Sequence, residues 1–178
     1  MFKKFLILGV TALSMVATSA IAADASRARL MIPVQASYTG DSFGSDPETV
    51  SASGYNIQYV HSSGFGVGYT STSLKLEYEG GGFLDFQNAT FVDFSYLFGS
   101  ELNGQIVVGT LIGHGDIDQT SGAQTVDEKS GTAFGINGGY DFGGFEALLG
   151  YRSESVTIGS DSTNVGRTLI SAGIGFTF

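Results

Sequence analysis

Five ionisable residues, Arg29, Asp93, Glu146, Arg152 and Arg167, recur on the polar side of segments whose other side is apolar. Guanidinium and carboxylate groups form short, charge-assisted and often forked hydrogen bonds, and away from water neither sign is tolerated without the other. They are read as one paired network. Breaking a pair would open a water path past the small residues on the same faces, Gly66, Gly68, Gly109, Gly135, Gly139, Gly150, Gly173 and Gly175. A second group is purely acidic. Asp116-x-Asp118-x-Thr120 followed by Asp127-Glu128 resembles a calcium loop, but Ser121 holds the tight-turn position that needs Gly, and Gly122 comes one place late. No metal is assigned; Asp116, Asp118, Asp127 and Glu128 remain the set that would attract a divalent cation. His114 is the only base near these acids, but it lies in Gly113-His114-Gly115 with no His-x-Ser element beside it, so no catalytic residue is assigned. His61, in a Ser-Ser-Gly turn, reads as surface.

Composition excludes much else. The 178 residues suit one domain, and with no Cys there is no thiolate nucleophile, disulfide or Cys-ligated metal. Eight basic residues against 17 acids argue against nucleic-acid binding, which needs clustered Lys and Arg. No cofactor is expected. The 27 glycines suit tightly turning β-structure and would weaken helices by roughly 1 kcal/mol each relative to Ala.

The elements that must position these groups are strands. Ala28, Leu30, Ile32, Val34, Ala36 and Tyr38 alternate with polar residues, and the same period recurs in Tyr55-Ile57-Tyr59, Phe65-Val67-Tyr69 and Val92-Phe94-Tyr96-Phe98. It continues in Ile106-Val108-Thr110-Ile112, Phe134-Ile136-Gly138-Tyr140, Phe145-Ala147-Leu149-Tyr151 and Ile170-Ala172-Ile174-Phe176-Phe178, making eight strands. Connections alternate in length. Three are short, around 61–64, 99–104 and 141–144. Four are long and polar, over 39–50, 77–87, 115–130 and 155–165. These long loops are read as holding most of the acids: Asp41, Asp46, Glu48, Glu77, Glu79, Asp85, Asp116, Asp118, Asp127, Glu128, Glu154 and Asp161. Strands with charge-free apolar faces suit a hydrocarbon solvent, where unpaired backbone costs several kcal/mol and the sheet must close on itself. The fold expected is an all-β, closed, eight-stranded antiparallel transmembrane barrel in up-and-down order, with a polar lumen and an aromatic girdle including Tyr38, Tyr55 and Tyr151.

Before the strands, Lys3 and Lys4 precede the apolar run Phe5 to Ala17 and the small-x-small site Ala20-Ile21-Ala22, the pattern of a secretory signal. The expected division is residues 1–22 as signal peptide and 23–178 as barrel. Losing the two signal lysines leaves six basic residues against 17 acids, a formal charge of −11.

With these features the chain resembles the eight-stranded bacterial outer-membrane barrels that include the OmpA transmembrane domain and OmpX. The resemblance rests on the signal, on Gly138-Gly-Tyr-Asp-Phe-Gly-Gly144 leading into Phe145, and on the terminal Ser171-Ala-Gly-Ile-Gly-Phe-Thr-Phe178. It implies an outer-membrane location, periplasmic termini and extracellular long loops. It also implies an assembly signal in Phe176 and Phe178, read by the barrel-assembly machinery, and passage with periplasmic chaperones. The expected partners are outer-membrane lipids and lipopolysaccharide, with no nucleic acid, and the barrel is expected to be monomeric. The function expected is structural or surface interaction without catalysis, through acidic loops. A narrow or gated pore is the alternative, and a lipid-modifying enzyme a remote one.

Overall fold

The computed structural model describes residues 25–39, 46–124, 129–159 and 163–178. The expected signal, 1–22, and the acids Asp41, Asp127, Glu128 and Asp161 lie outside the described residues. The strands are β1 (Arg27–Tyr38), β2 (Thr49–Val60), β3 (Phe65–Glu77), β4 (Phe83–Phe98), β5 (Leu102–Gly113), β6 (Ile117–Gln119), β7 (Gly122–Gln124), β8 (Lys129–Asp141), β9 (Phe145–Ile158) and β10 (Thr163–Thr177). Strands β1 to β5 and β8 to β10 pair antiparallel with their neighbours in chain order, β5 meets β8, and β1 meets β10 to close an eight-stranded barrel. Strands β6 and β7 form a small hairpin that pairs with the far end of β4.

The short turns are built by local chemistry. Gly64 adopts φ +89° and donates its N–H to the His61 carbonyl. Asp141 Oδ1 accepts the N–H groups of Gly143 and Gly144, whose φ values of +89° and +111° suit glycine alone. Both termini of the barrel meet at this end, where Ser26 and Phe178 exchange backbone hydrogen bonds.

Above the membrane-facing band the strands run further than the alternation of outward apolar residues suggested. Tyr78 to Gly82 is the whole connection between β3 and β4, and 83–87 is strand rather than loop; β9 continues to Ile158. Along β9 the polarity of the two faces reverses. From Phe145 to Tyr151 the outward residues are Phe, Ala, Leu and Tyr, all exposed, while Glu146 and Arg152 point inward and are buried. From Ser153 to Ile158 the outward residues are Ser153, Ser155 and Thr157, and the inward ones change from Glu154 to the buried Val156 and Ile158. The lower storey is apolar outside and holds the charged and amide side chains inside, beside a few apolar ones such as Met31, Val107 and Leu148; the upper storey is largely hydroxyl-bearing outside and apolar inside, as water requires.

The same crossing occurs on most of the other strands, β5 excepted, where Ile112 remains apolar and exposed at the upper end. Outward apolar side chains such as Ile57, Val67, Phe94, Ile136 and Ile174 give way upward to Ser51 and Ser53, Ser71 and Ser73, Thr90, Ser130 and Thr132, and Thr168. Inside the upper storey Leu74, Leu76, Phe86, Ala89, Phe91, Ile117, Ala133, Val156, Ile158 and Val165 form one buried cluster. Each fully buried large apolar side chain here contributes about 1.5–3 kcal/mol.

β-Bulges accompany the change. Between Pro33 and Gln35 the β1 register against β10 shifts, and on β4 Gln87 and Asn88, the latter at φ +46°, stand opposite Ser73 of β3. The β1 bulge reverses its phase, so Ala36 and Tyr38, expected on the lipid face, pack against the apolar cluster instead. Tyr38 is therefore not part of the girdle. At the turn end the girdle is continuous through contacts of Tyr140 with Phe142, Phe142 with Phe145 and Phe145 with Phe176.

Candidate functional site

The lumen of the lower storey is the site. Every second residue of its strands points inward, and the ionisable ones among these are brought together from up to 119 residues apart in the chain. Two layers result.

The layer nearer the short turns is centred on Glu146, which is fully buried. Arg29 grips it with a fork, Nε to Oε2 at 2.9 Å and Nη2 to Oε1 at 2.7 Å. The same guanidinium reaches Asn103 Oδ1 at 2.8 Å and Gln105 Oε1 at 3.1 Å. Arg27 donates to Glu146 Oε1 at 2.8 Å and to the Ser100 carbonyl at 3.2 Å, with Asp141 3.8 Å away.

The layer above joins Asp93, Arg152, Glu154 and Arg167. Arg152 forks onto Asp93, both nitrogens at 3.0 Å, and turns its Nε to Glu154 Oε1 at 2.5 Å. Arg167 pairs with Glu154 and donates to Thr72 Oγ1 at 2.8 Å. Thr70 and Asn56 also donate to Asp93 Oδ2. The Arg152 guanidinium lies 5.0 Å from the centre of the Phe91 ring, so the polar layer is roofed directly by the apolar cluster. Two arginines and two carboxylates balance here, and with Asp141 the lower layer balances as well. Among the described residues only Arg27 Nε, Asn56 Oδ1 and Gln58 Oε1 are buried polar side-chain atoms without a partner.

The structure thus brings Arg29 and Glu146 together in one layer and Asp93, Arg152 and Arg167 in the other. Sequence reasoning missed Arg27, Asp141 and Glu154. Glu154 was expected in a long loop; it is buried because β9 runs on past Tyr151, and its signal was present in its place two residues from Arg152 on the same face. Arg27 stands in the same relation to Arg29. The inward glycines do not outline a water path. A Cβ on Gly109 would sit 2.3 Å from Asp93 Oδ1, and one on Gly175 2.5 Å from Glu146 Oε2, so these glycines make room for the carboxylates.

Elsewhere, Asp116 and Asp118 flank Ile117, which dips into the apolar cluster, and Asp118 accepts a hydrogen bond from Gln87 Nε2. Asp127 and Glu128 are outside the described residues, and among the described residues no group of three or more His, Cys, Asp or Glu converges as a metal site. Burial, and then the charge of Asp118 across the strand pair, push the Asp85 carboxyl above its ordinary range, with Lys75 opposing. His114 places Nδ1 2.6 Å from the Gly115 carbonyl, and His61 Nδ1 meets Ser63. Phe176 and Phe178 are exposed at the turn end, where Phe178 packs against Tyr59.

A closed eight-stranded barrel with an apolar outer band and a charge-balanced lumen defines the class: an eight-stranded transmembrane β-barrel. Among solved structures the chain is similar to Neisserial surface protein A, with a TM-score of 0.51 and 13% identity over 86% of this chain and 96% of that one. It is also similar to Ail, the attachment invasion locus protein of Yersinia pestis (TM-score 0.48, 16% identity, 86% and 99% covered), and to the outer membrane protein OprG from Pseudomonas aeruginosa (0.45, 10%, 88% and 97%). No family model and no curated protein matches the chain.

Proposed function

We propose that this chain is a sealed outer-membrane barrel with a structural or surface-interaction role. Its termini and short turns face the periplasm, and its upper storey and acidic loops face outward. One observation carries the reading: among the described residues the lumen is occupied at successive levels, from the Glu146 layer up through the apolar cluster. Two bonded Arg–carboxylate layers occupy the lower storey, and above them Leu74, Phe86 and Phe91 are at most 1% exposed. A conducting path needs continuous water past both. An eight-stranded barrel is only about wide enough for its own side chains, so displacing one layer leaves the other in place. The role is then exercised on outer surfaces, among lipids and whatever meets the loops, and no residue is assigned to catalysis.

Single-channel recording of refolded protein in a planar bilayer tests this, with folding of the same sample verified by its heat-dependent gel mobility. A folded but electrically silent barrel is the expected result. Reproducible discrete conductance steps would replace this reading with a pore.

A further inference from the structure

At the turn end of the barrel lies a cavity of about 750 Å³, bounded by the Ser100–Glu101 turn, by residues 142–144 and by Ala25, where the described chain begins. Arg27, Tyr140, Asp141 and Thr177 complete its wall. The charges around it do not cancel. Glu146 and Asp141 answer Arg27 and Arg29, so Glu101 adds a negative charge with no cation within 4.0 Å among the described residues. Asp141 is itself loosely met, 3.8 Å from Arg27, whose guanidinium is turned to Glu146 at 2.8 Å. The two acids are held side by side. The Asp141 N–H donates to the Glu101 carbonyl at 2.8 Å, Tyr140 donates its hydroxyl to Glu101, and Asp141 Oδ1 is fixed by the N–H groups of Gly143 and Gly144. In the same wall Arg27, 2% exposed, has an Nε without a hydrogen-bond partner.

The cavity therefore suits a cation that arrives with oxygen acceptors beside it. The chain carries such a segment. Hydrogen bonds of 3.0 and 2.9 Å between the Ser26 and Phe178 backbones set where Ala25 leaves the barrel, at the cavity wall. Removal of residues 1–22 creates an α-ammonium on Ala23, two residues and at most about 7 Å from Ala25, with the Asp24 carboxylate and two peptide carbonyls in between. In the precursor the same nitrogen is an uncharged amide.

We infer that the mouth of the barrel at the turn end is the docking site of the mature amino terminus, Ala23–Asp24, whose α-ammonium pairs with Asp141 and Glu101. Signal removal then completes this end of the barrel, because only the cleaved chain has a cation to offer there. The inference rests on the reading of residues 1–22 as a cleaved signal.

The test uses full-length mature protein isolated from outer membranes, its first residue verified by intact mass and its folding by heat-dependent gel mobility. Its α-amine is modified at pH 7 with 2-pyridinecarboxaldehyde, which reacts with the uncharged amine. Opposite charges within about 4–6 Å hold an amine protonated, and a rise of about one unit above its ordinary value of about 8 cuts the reactive fraction about tenfold. Modification is therefore expected to be about tenfold slower than in the free peptide Ala-Asp-Ala-Ser. The variant Glu101→Gln, Asp141→Asn, which keeps the turn acceptors and removes both charges, is expected to react at the peptide's rate. Glu101→Gln alone, on an exposed side chain, is expected to fall between the two. Reaction of the folded parent at the peptide's rate would overturn the docking, as would a slow rate that neither variant changes. A mature chain beginning elsewhere than Ala23 would instead overturn the signal reading beneath it.

Discussion

Replacing Glu154 by Gln removes the negative charge shared by two buried arginines, and one of its two acceptor oxygens, while keeping size and shape. Arg152 retains its fork to Asp93, but Arg167, 1% exposed, has Glu154 as its only carboxylate within 4.0 Å among the described residues, and would be left with neutral partners alone. Removing one partner of a buried pair leaves an uncompensated charge and costs about 3–5 kcal/mol, two to four orders of magnitude in the folding equilibrium. The chain has no Trp, so urea unfolding in lipid vesicles at pH 7 is followed by far-ultraviolet circular dichroism. The double variant Glu154→Leu, Arg167→Met, which removes both charges and fills the space with apolar atoms, is expected to recover most of the loss. A cost for Glu154→Gln below about 1 kcal/mol, the level of an exposed ion pair, would mean that water already bathes the layer and would refute the sealed lumen.

Phe91→Ala removes the ring that roofs Arg152 and is expected to destabilise the barrel by about 3–5 kcal/mol in the same assay, while channel recordings stay silent because both polar layers remain. Gly109→Ala forces a methyl group against Asp93 and is expected to lower the urea midpoint, whereas Gly138→Ala, where a Cβ meets nothing within 4 Å, is expected to leave it unchanged. Asp85 is a carboxyl whose folded pKa is raised, so the folded state takes up its proton more readily than the unfolded chain, and its contribution to stability improves as pH falls through the folded value. Asp85→Asn is therefore expected to be more stable than the parent at pH 7, with the two urea midpoints converging below the ordinary carboxylate range. Deleting Phe178 is expected to reduce the heat-modifiable, folded band in outer-membrane fractions; an unchanged band would remove the terminal residue from the assembly signal.

The lower storey was legible because each of its strands alternates in one solvent. Tyr55-Ile57-Tyr59 and Phe145-Ala147-Leu149-Tyr151 announce their outward face directly, and the inward residues follow from the period of two. The upper storey escaped the same rule because a strand leaving lipid for water exchanges its apolar face. In Arg152-Ser-Glu-Ser-Val-Thr-Ile158 the alternation continues with the opposite phase, and a search for outward apolar residues stops at Tyr151. That is why Glu154 was expected in a loop and why 83–87 was not read as strand. Bulges hid the rest. The shift between Pro33 and Gln35 depends on how β1 meets β10, far along the chain, and nothing in the local alternation of Val34, Ala36 and Tyr38 signals it. The lumen residues were legible as a set of charges, but their partners, such as Arg29 with Glu146, are fixed by barrel closure.

The reversal of polarity along a single strand is the most direct point to test, and the absence of native cysteine makes it accessible. Single substitutions Ala147→Cys, Leu149→Cys, Tyr151→Cys, Ser153→Cys, Ser155→Cys and Thr157→Cys, each refolded into nanodiscs, would be exposed to a charged, membrane-impermeant maleimide. Rapid labelling at 153, 155 and 157 with protection at 147, 149 and 151 is the expected result. Comparable labelling along the whole of β9, or protection extending to 157, would contradict a barrel that passes from lipid to water between Tyr151 and Ser153.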